Sequence, residues 1–169
     1  LTIITMATTS YFIKFDLKMY KVFSKWLNVF DLMSKGRYLQ YIPHKEKELK
    51  YDVLLIGYDR IGYNVFKALE KMKQSFLVID FNPDVIKRLV AKKIPCIYGD
   101  IGDDEIMERL NLKKVKLIIS TVPTIEDSKR IVRRVRRVNK KGVIFLTANM
   151  IEEAMDLYKG GADYVVLPH

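Results

Sequence analysis

Residues 52–62, Asp-Val-Leu-Leu-Ile-Gly-Tyr-Asp-Arg-Ile-Gly, carry four apolar residues straight into a glycine and set a second glycine five positions later. This reads as a buried strand that runs into a glycine turn and opens a helix. In the G-x-G-x-x-G pattern the first glycine makes the tight turn, the second lets the backbone approach a pyrophosphate, and the third lets helix and sheet pack closely. Gly57 and Gly62 hold the first and third places, and Asp59 stands at the second. A further apolar run, Phe76–Ile79, ends in Asp80, 23 residues beyond Gly57, where a carboxylate is placed to accept hydrogen bonds from ribose hydroxyls.

From Tyr51 to the end, short runs rich in valine and isoleucine alternate with amphipathic stretches. Strands are expected near 52–56, 76–80, 95–98, 116–120, 143–147 and 163–167, with helices near 60–73, 83–92, 103–110, 125–139 and 150–159. The strand runs lack polar alternation, so both faces must be covered, which calls for a parallel sheet with crossover helices. Right-handed crossovers then give the order 3-2-1-4-5-6. The fold class is therefore α/β: a Rossmann-like, doubly wound, parallel six-stranded sheet over residues 51–169.

The remainder of the chain has another character. Residues 1–13 are uncharged, and Lys14, Lys18, Lys21 and Lys25 follow at helical spacing. Thirteen residues are fewer than the roughly 20 that span a bilayer, but they suit the last half of a membrane helix with lysines at its cytoplasmic exit. The alternative is a core helix of a soluble domain. Residues 11–33 pattern as an amphipathic helix, with Ile13, Leu17, Tyr20, Phe23, Leu27 and Phe30 opposite the lysines, suited to an anionic membrane surface or to a partner helix. Domains are thus expected at 1–35 (membrane exit and juxtamembrane helix), 36–50 (linker) and 51–169. The net charge of +10 splits evenly, residues 1–51 holding 9 Lys/Arg against 4 Asp/Glu and the rest 21 against 16, so the basic density is higher in the shorter first part. The absence of an initiator methionine before Leu1 suggests a piece of something longer or a processed product.

Several chemistries are disfavoured. One cysteine, Cys96, lies in an apolar run and reads as a core residue; the two histidines, His44 and His169, leave no zinc cluster or histidine triad. No metal site and no catalytic constellation is expected, since only His169 or Asp163 stands out as an acid or base. The candidate nucleotide site comprises Gly57 and Gly62, the backbone N–H groups from Arg60 through Ile61 to Gly62, Arg60 itself as a phosphate fork, and Asp80. Asp100 and Ile101 lie after the third strand, where an adenine would rest, and Thr121 follows the fourth, placed to line the nicotinamide or the second phosphate. Arg60 reads equally well as a solvated first-turn residue, and Asp80 as a neighbour of a helix cap. The basic run Lys129–Lys141 holds eight Lys/Arg. Ile131, Val135 and Val138 recur on one face, so a crossover helix with a basic solvent side is preferred to a nucleic-acid module.

The stretches Gly57–Gly62, Val78–Pro83 and Tyr98–Asp100, together with Thr147–Met150 and Gly160–His169, resemble the TrkA-N or RCK domain that regulates potassium channels and transporters. Residues 1–35 are similar to the end of the last membrane helix and the linker of KefB/KefC-type monovalent cation:proton antiporters. The resemblance implies an adenine nucleotide (AMP, ADP or ATP) or NAD(H) at the site above, with Phe81 added and with Asp59 a departure at the second glycine. It also implies a non-enzymatic regulatory domain that forms a homodimer, acts on a transmembrane transport unit, and sits at the cytoplasmic face of the cell membrane without binding nucleic acid. The competing reading is a small NAD-dependent oxidoreductase domain, for which a substrate region is lacking.

Overall fold

The computed structural model describes residues 4–6, 40–41 and 50–168. The chain divides into two compact units, 1–38 and 39–169. In the first, residues 4–6 are helical; the amphipathic helix over 11–33 and its four lysines lie outside the described residues, as do His44 and His169. No helix among the described residues is long and apolar enough to cross a membrane.

In the second unit the elements run β1 (Gln40–Tyr41), β2 (Val53–Ile56), α1 (Arg60–Lys71), β3 (Phe76–Asp80), α2 (Pro83–Ala91), β4 (Cys96–Tyr98), α3 (Asp104–Arg109), β5 (Leu117–Ser120), α4 (Ile125–Val138), β6 (Val143–Thr147), α5 (Ile151–Gly160) and β7 (Tyr164–Val166). They form one sheet in the order β1-β4-β3-β2-β5-β6-β7. The six strands β2 to β7 are parallel and follow the expected 3-2-1-4-5-6 order. The difference is at the edge. Residues 40–41, assigned to a linker from their Pro-containing, mixed-charge context, add a short antiparallel strand with Gln40 opposite Ile97 and Tyr41 opposite Cys96. Two residues are too few to leave a periodic signal in sequence.

The sidedness of the central strands explains their unbroken apolar runs, whereas β7, at the sheet edge, leaves Tyr164 and Val166 exposed, contrary to the expectation that both faces of every strand are covered. Along β2, Val53 and Leu55 face one core with α1 and α2, through Phe66, Leu69, Val85, Ile86 and Leu89. Leu54 and Ile56 face the other, with Met107, Ile131, Val132, Val135, Ala154 and Leu157. Successive side chains point to opposite faces of a sheet, so two apolar layers demand apolar residues at every position. Cys96 is fully buried in the first core, as its context implied.

Helix α4 departs from its expected face. Ser128, Ile131, Val132 and Val135 are its buried residues, whereas Val138 is 42% exposed at the helix end. Its basic run is also not wholly a solvent face. Arg136 donates to the carbonyls of Gly161 and Gly142 and to the Asp163 carboxylate, tying α4 to the segments entering β6 and β7. Asp163 also accepts from Ile144 N–H, so it is a structural brace. Buried Asn139 closes the same end: its amide donates to Leu112 and Val115 carbonyls and its oxygen accepts from the N–H groups of Lys141 and Gly142.

Three helices end alike. After α1, α2 and α5 the chain enters the left-handed region at Lys73 (φ 53°), Lys93 (φ 57°) and Gly161 (φ 109°). At each, the residue and its successor donate back to the last helical turn, as in Lys73 N–H to Glu70 O and Gln74 N–H to Leu69 O. This closure favours glycine, and a side chain there adds steric strain. Lys73→Gly and Lys93→Gly are each expected to stabilise the domain by about 0.5–1 kcal/mol, read as raised denaturant midpoints with an unchanged slope; unchanged or lowered midpoints would contradict the assignment.

Candidate functional site

The carboxyl ends of the parallel strands share one edge. The register aligns Ile56 with Ile79 and Ser120, and Asp80 with Tyr98. Gly57, Phe81, Gly99 and Thr121 therefore leave the sheet side by side, and at the parallel β2/β5 pair the order of strand addition switches from one side of β2 to the other. In open α/β sheets the crevice outside that point is where ligands bind.

The two glycines have distinct necessities. Gly57 has φ 87°, in the region that side chains disfavour. Gly62 is buried in the first turn of α1, and a Cβ there would lie 2.1 Å from the Gly57 carbonyl oxygen. Helix α1 thus crosses its own entry strand at a distance only glycine permits. Thr121 supports the turn: its hydroxyl lies 3.3 Å from both the Ile56 and Gly57 carbonyl oxygens. The position read as lining a second phosphate is engaged with the turn's own backbone.

Asp80 is buried, and both its oxygens accept backbone N–H groups, from Tyr58 and from Asn82, at 2.7 Å each. It joins the end of β3 to the glycine turn, while Gly57 N–H donates to the Ile79 carbonyl at 2.8 Å. Each carboxylate oxygen retains a lone pair for a further donor. The neighbouring cap role belongs to Asn82, whose side chain accepts from Asp84 N–H before Pro83 opens α2. Phe81, directly after Asp80, is 72% exposed.

The start of α1 completes the edge. Its first intrahelical bond runs from Tyr63 N–H to Asp59 O at 2.7 Å, so the N–H groups of Arg60, Ile61 and Gly62 have no intrahelical acceptor. Asp59 is the N-cap residue, yet its side chain makes no capping bond. Its backbone (φ −78°, ψ −164°) is extended and accepts any residue. The departure from glycine is therefore one of bulk and charge and not of backbone strain. Asp59 and Arg60 are both exposed. Tyr58 packs edge-on against Tyr63 and Phe66, and its phenol is pushed above its ordinary pKa chiefly by burial, then by Tyr63.

The loop after β4 brings up the last candidates unequally. Asp100 is exposed and its Oδ1 accepts Gly102 N–H at 2.8 Å. Ile101 is 5% exposed, with its side chain in the core, so only its backbone faces the edge. Gly99 N–H donates to the Asp80 carbonyl at 3.1 Å. The Asp80–Tyr58 and Thr121–Gly57 contacts join residues 22 and 64 apart in sequence, and no local pattern announces them. Among the described residues no group of three or more His, Cys, Asp or Glu side chains is placed to hold a metal ion.

A doubly wound parallel sheet with a glycine turn at its switch point defines a Rossmann-like α/β domain. The TrkA-N domain profile matches residues 53–168, and the chain belongs to that family. The probable potassium channel protein 2 of Methanocaldococcus jannaschii is 30% identical over 134 residues, 78% of this chain and 39% of the relative. The putative cation/proton antiporter YbaL of Escherichia coli is 26% identical over 127 residues, 73% of this chain and 23% of the relative. This chain therefore spans less than half the length of either curated relative. Among solved structures, the TrkA-N domain of E. coli inner membrane protein YbaL superposes with a TM-score of 0.66 at 25% identity, over 70% of this chain and 88% of that one. The fold is also shared with the GsuK channel bound to NAD (TM-score 0.64, 17% identity, 98% of this chain and 29% of that one). The Kef CTD of Shewanella denitrificans in AMP bound form has it too (TM-score 0.60, 19% identity, 69% and 70%).

The close approach at Gly62 sets a direct test. Gly62→Ala must push α1 away from the turn or distort it, and is expected to destabilise the domain by about 1–3 kcal/mol, whereas Gly160→Ala, whose added Cβ would meet only ordinary contact with Val132 at 3.7 Å, is expected to cost less than half as much. Equal denaturant midpoints for the two variants would refute the close crossing.

Proposed function

We propose that residues 51–169 form a regulatory domain that binds an adenine nucleotide (AMP, ADP, ATP) or NAD(H) at the glycine turn and thereby controls potassium or other monovalent cation transport by a membrane unit of a longer protein. The observation that carries this reading is the convergence, at one sheet edge, of three helix N–H groups free of intrahelical acceptors with the buried carboxylate of Asp80. The N–H groups and the helix dipole favour a phosphate. Asp80, fixed by two backbone donors, offers its remaining lone pairs to ribose hydroxyls. Exposed Phe81 provides a ring face for adenine, flanked by Asp100 and the Ile101 backbone across the β4 edge. Gly57 and Thr121 hold the turn in shape, and Arg60 adds a guanidinium at the first helical position. Solved relatives of the same fold carrying NAD and AMP support the ligand class, and the potassium channel and antiporter relatives support the regulated activity.

The reading is non-enzymatic. A hydride-transfer enzyme needs an acid or base beside the nicotinamide, and Asp163, the nominated group within the described residues, is bound to Arg136 and Ile144 N–H. Transmission of ligand binding to a transport unit requires only that the nucleotide prefer one of two conformations. The domain boundaries proposed are 1–35, 36–50 and 51–169, at the cytoplasmic face of a cell membrane, with residues 1–34 on its anionic surface. A homodimer through the 51–169 domain is proposed as the assembly that couples the two ligand sites.

Asp59 tunes the ligand. Its carboxylate stands where a pyrophosphate path passes the helix start and disfavours a second phosphate by charge and bulk. AMP, ADP, ATP or NAD(H) at millimolar concentration is expected to raise the melting temperature. Asp59→Gly is expected to strengthen ADP and NAD(H) relative to AMP by several-fold in calorimetry. A folded domain that responds to none of the four would overturn the site, and unchanged selectivity would overturn the role of Asp59. Light scattering that gives a monomer mass at high micromolar concentration, with and without nucleotide, would overturn the dimer.

A further inference from the structure

Helix α4 carries a second charged feature that the glycine turn does not use. Arg130, Arg133, Arg134 and Arg137, together with Asp104 of α3, line a cavity of about 450 Å³. The four arginines stand at i, i+3, i+4 and i+7, one face of a helix, while Ser128, Ile131, Val132 and Val135 bury the other.

Two of the guanidiniums are held. Arg130 donates to the Gly102 carbonyl at 2.6 Å, and Arg134 pairs with Asp104 at 3.1 Å and with Glu108 at 3.7 Å. The other two, Arg133 and Arg137, are exposed and have no hydrogen-bond or ion-pair partner among the described residues. Four positive charges thus face two carboxylates, Asp104 in the lining and Glu108 beside it. Like charges at these helical spacings repel one another, and an arginine fork matches the oxygens of a phosphate group. The excess is two positive charges, of which a monoanion would leave one unbalanced. The volume lies within the roughly 300–1,000 Å³ of small-ligand sites and exceeds what one orthophosphate fills.

We propose that this groove between α3 and α4 is a binding site for a compact anion bearing two or more phosphate groups, with Arg133 and Arg137 as the ligand's principal forks and Arg130 and Arg134 as prepositioned walls. An extended nucleic-acid backbone is a poorer fit. The mostly exposed carboxylates of Asp104 and Glu108 flank the groove and would face any phosphates continuing past it. The phosphates belong either to a soluble polyphosphate or phosphate ester or to a polyphosphorylated lipid headgroup.

The test is calorimetry on the full chain with inorganic tripolyphosphate at fixed ionic strength. Stoichiometric binding is expected, with orthophosphate at least tenfold weaker. Arg133→Gln/Arg137→Gln should weaken tripolyphosphate at least tenfold and leave the melting temperature unchanged, since neither side chain holds the fold together. Lys140→Gln/Lys141→Gln removes the same charge outside the cavity and should change binding less than twofold. Saturating AMP should not displace tripolyphosphate. Absence of binding, equal losses in the two double variants, or full displacement by AMP would each overturn the site. Tighter binding of a DNA or RNA duplex than of tripolyphosphate, dependent on Arg133 and Arg137, would overturn it in favour of a nucleic-acid surface. Co-sedimentation with phosphatidylinositol bisphosphate vesicles separates the two sources. Loss of sedimentation in the Arg133→Gln/Arg137→Gln variant places the phosphates on a lipid. Tripolyphosphate binding with vesicle sedimentation indifferent to that variant places them on a soluble anion.

Discussion

Helix α1 begins so close to the end of β2 that a single methyl group at Gly62 would collide with the Gly57 carbonyl oxygen. That contact sets the angle at which the helix leaves the sheet, and with it the direction of the N–H groups at its start. The turn is further held from two sides. Asp80 receives Tyr58 N–H from the neighbouring strand end, and Thr121 lies against the turn's carbonyl oxygens from the strand beyond the switch point. Three consecutive sheet positions thus meet on one three-residue loop, 57–59, and the resulting edge is held in place by the fold itself. Preorganisation matters because ordering a loop on binding subtracts directly from affinity.

The second unifying constraint is that both faces of the sheet are covered. Leu54 and Ile56 commit to one core and Val53 and Leu55 to the other, so α4 and α5 cannot exchange sides with α1 and α2 without exposing a full apolar layer. Helix α4 works under this constraint with an unusual division of labour. Its buried face is apolar apart from Ser128, Arg136 fastens its C-terminal end to three acceptors, and Arg133 and Arg137 remain on the open side. A guanidinium with five donors in a rigid fork suits both uses.

Membership of the TrkA-N family accounts for the architecture but not for Asp59. The extended backbone at that residue makes no demand for glycine, so its effect falls wholly on what approaches the helix start. A carboxylate beside a helix N-terminus is itself favourable to the macrodipole. In the proposed site it would compete with an incoming phosphate for the same field, which is the physical basis of the selectivity proposed for it.

Much of the fold was legible from residues alone. The six parallel strands, their helices and their order follow from apolar runs without alternation, although the edge strand β7 proves largely exposed, and Gly57, Gly62 and Asp80 are recognisable because turn, crossing and strand end each require a particular residue type. Pro83 at the start of α2 obeys the same local logic. Tertiary structure alone decided the rest. Residues 40–41 became an edge strand only because β4 offered an unpaired edge. Arg136, Asn139 and Asp163 became braces and Thr121 a support of the turn through hydrogen bonds 19 to 64 positions apart in sequence, and Ile101 became a core residue. Helical and strand periods report which face a residue occupies, whereas a hydrogen bond between distant segments depends on where two independently predictable elements come to rest. That relation exists only once the sheet has assembled.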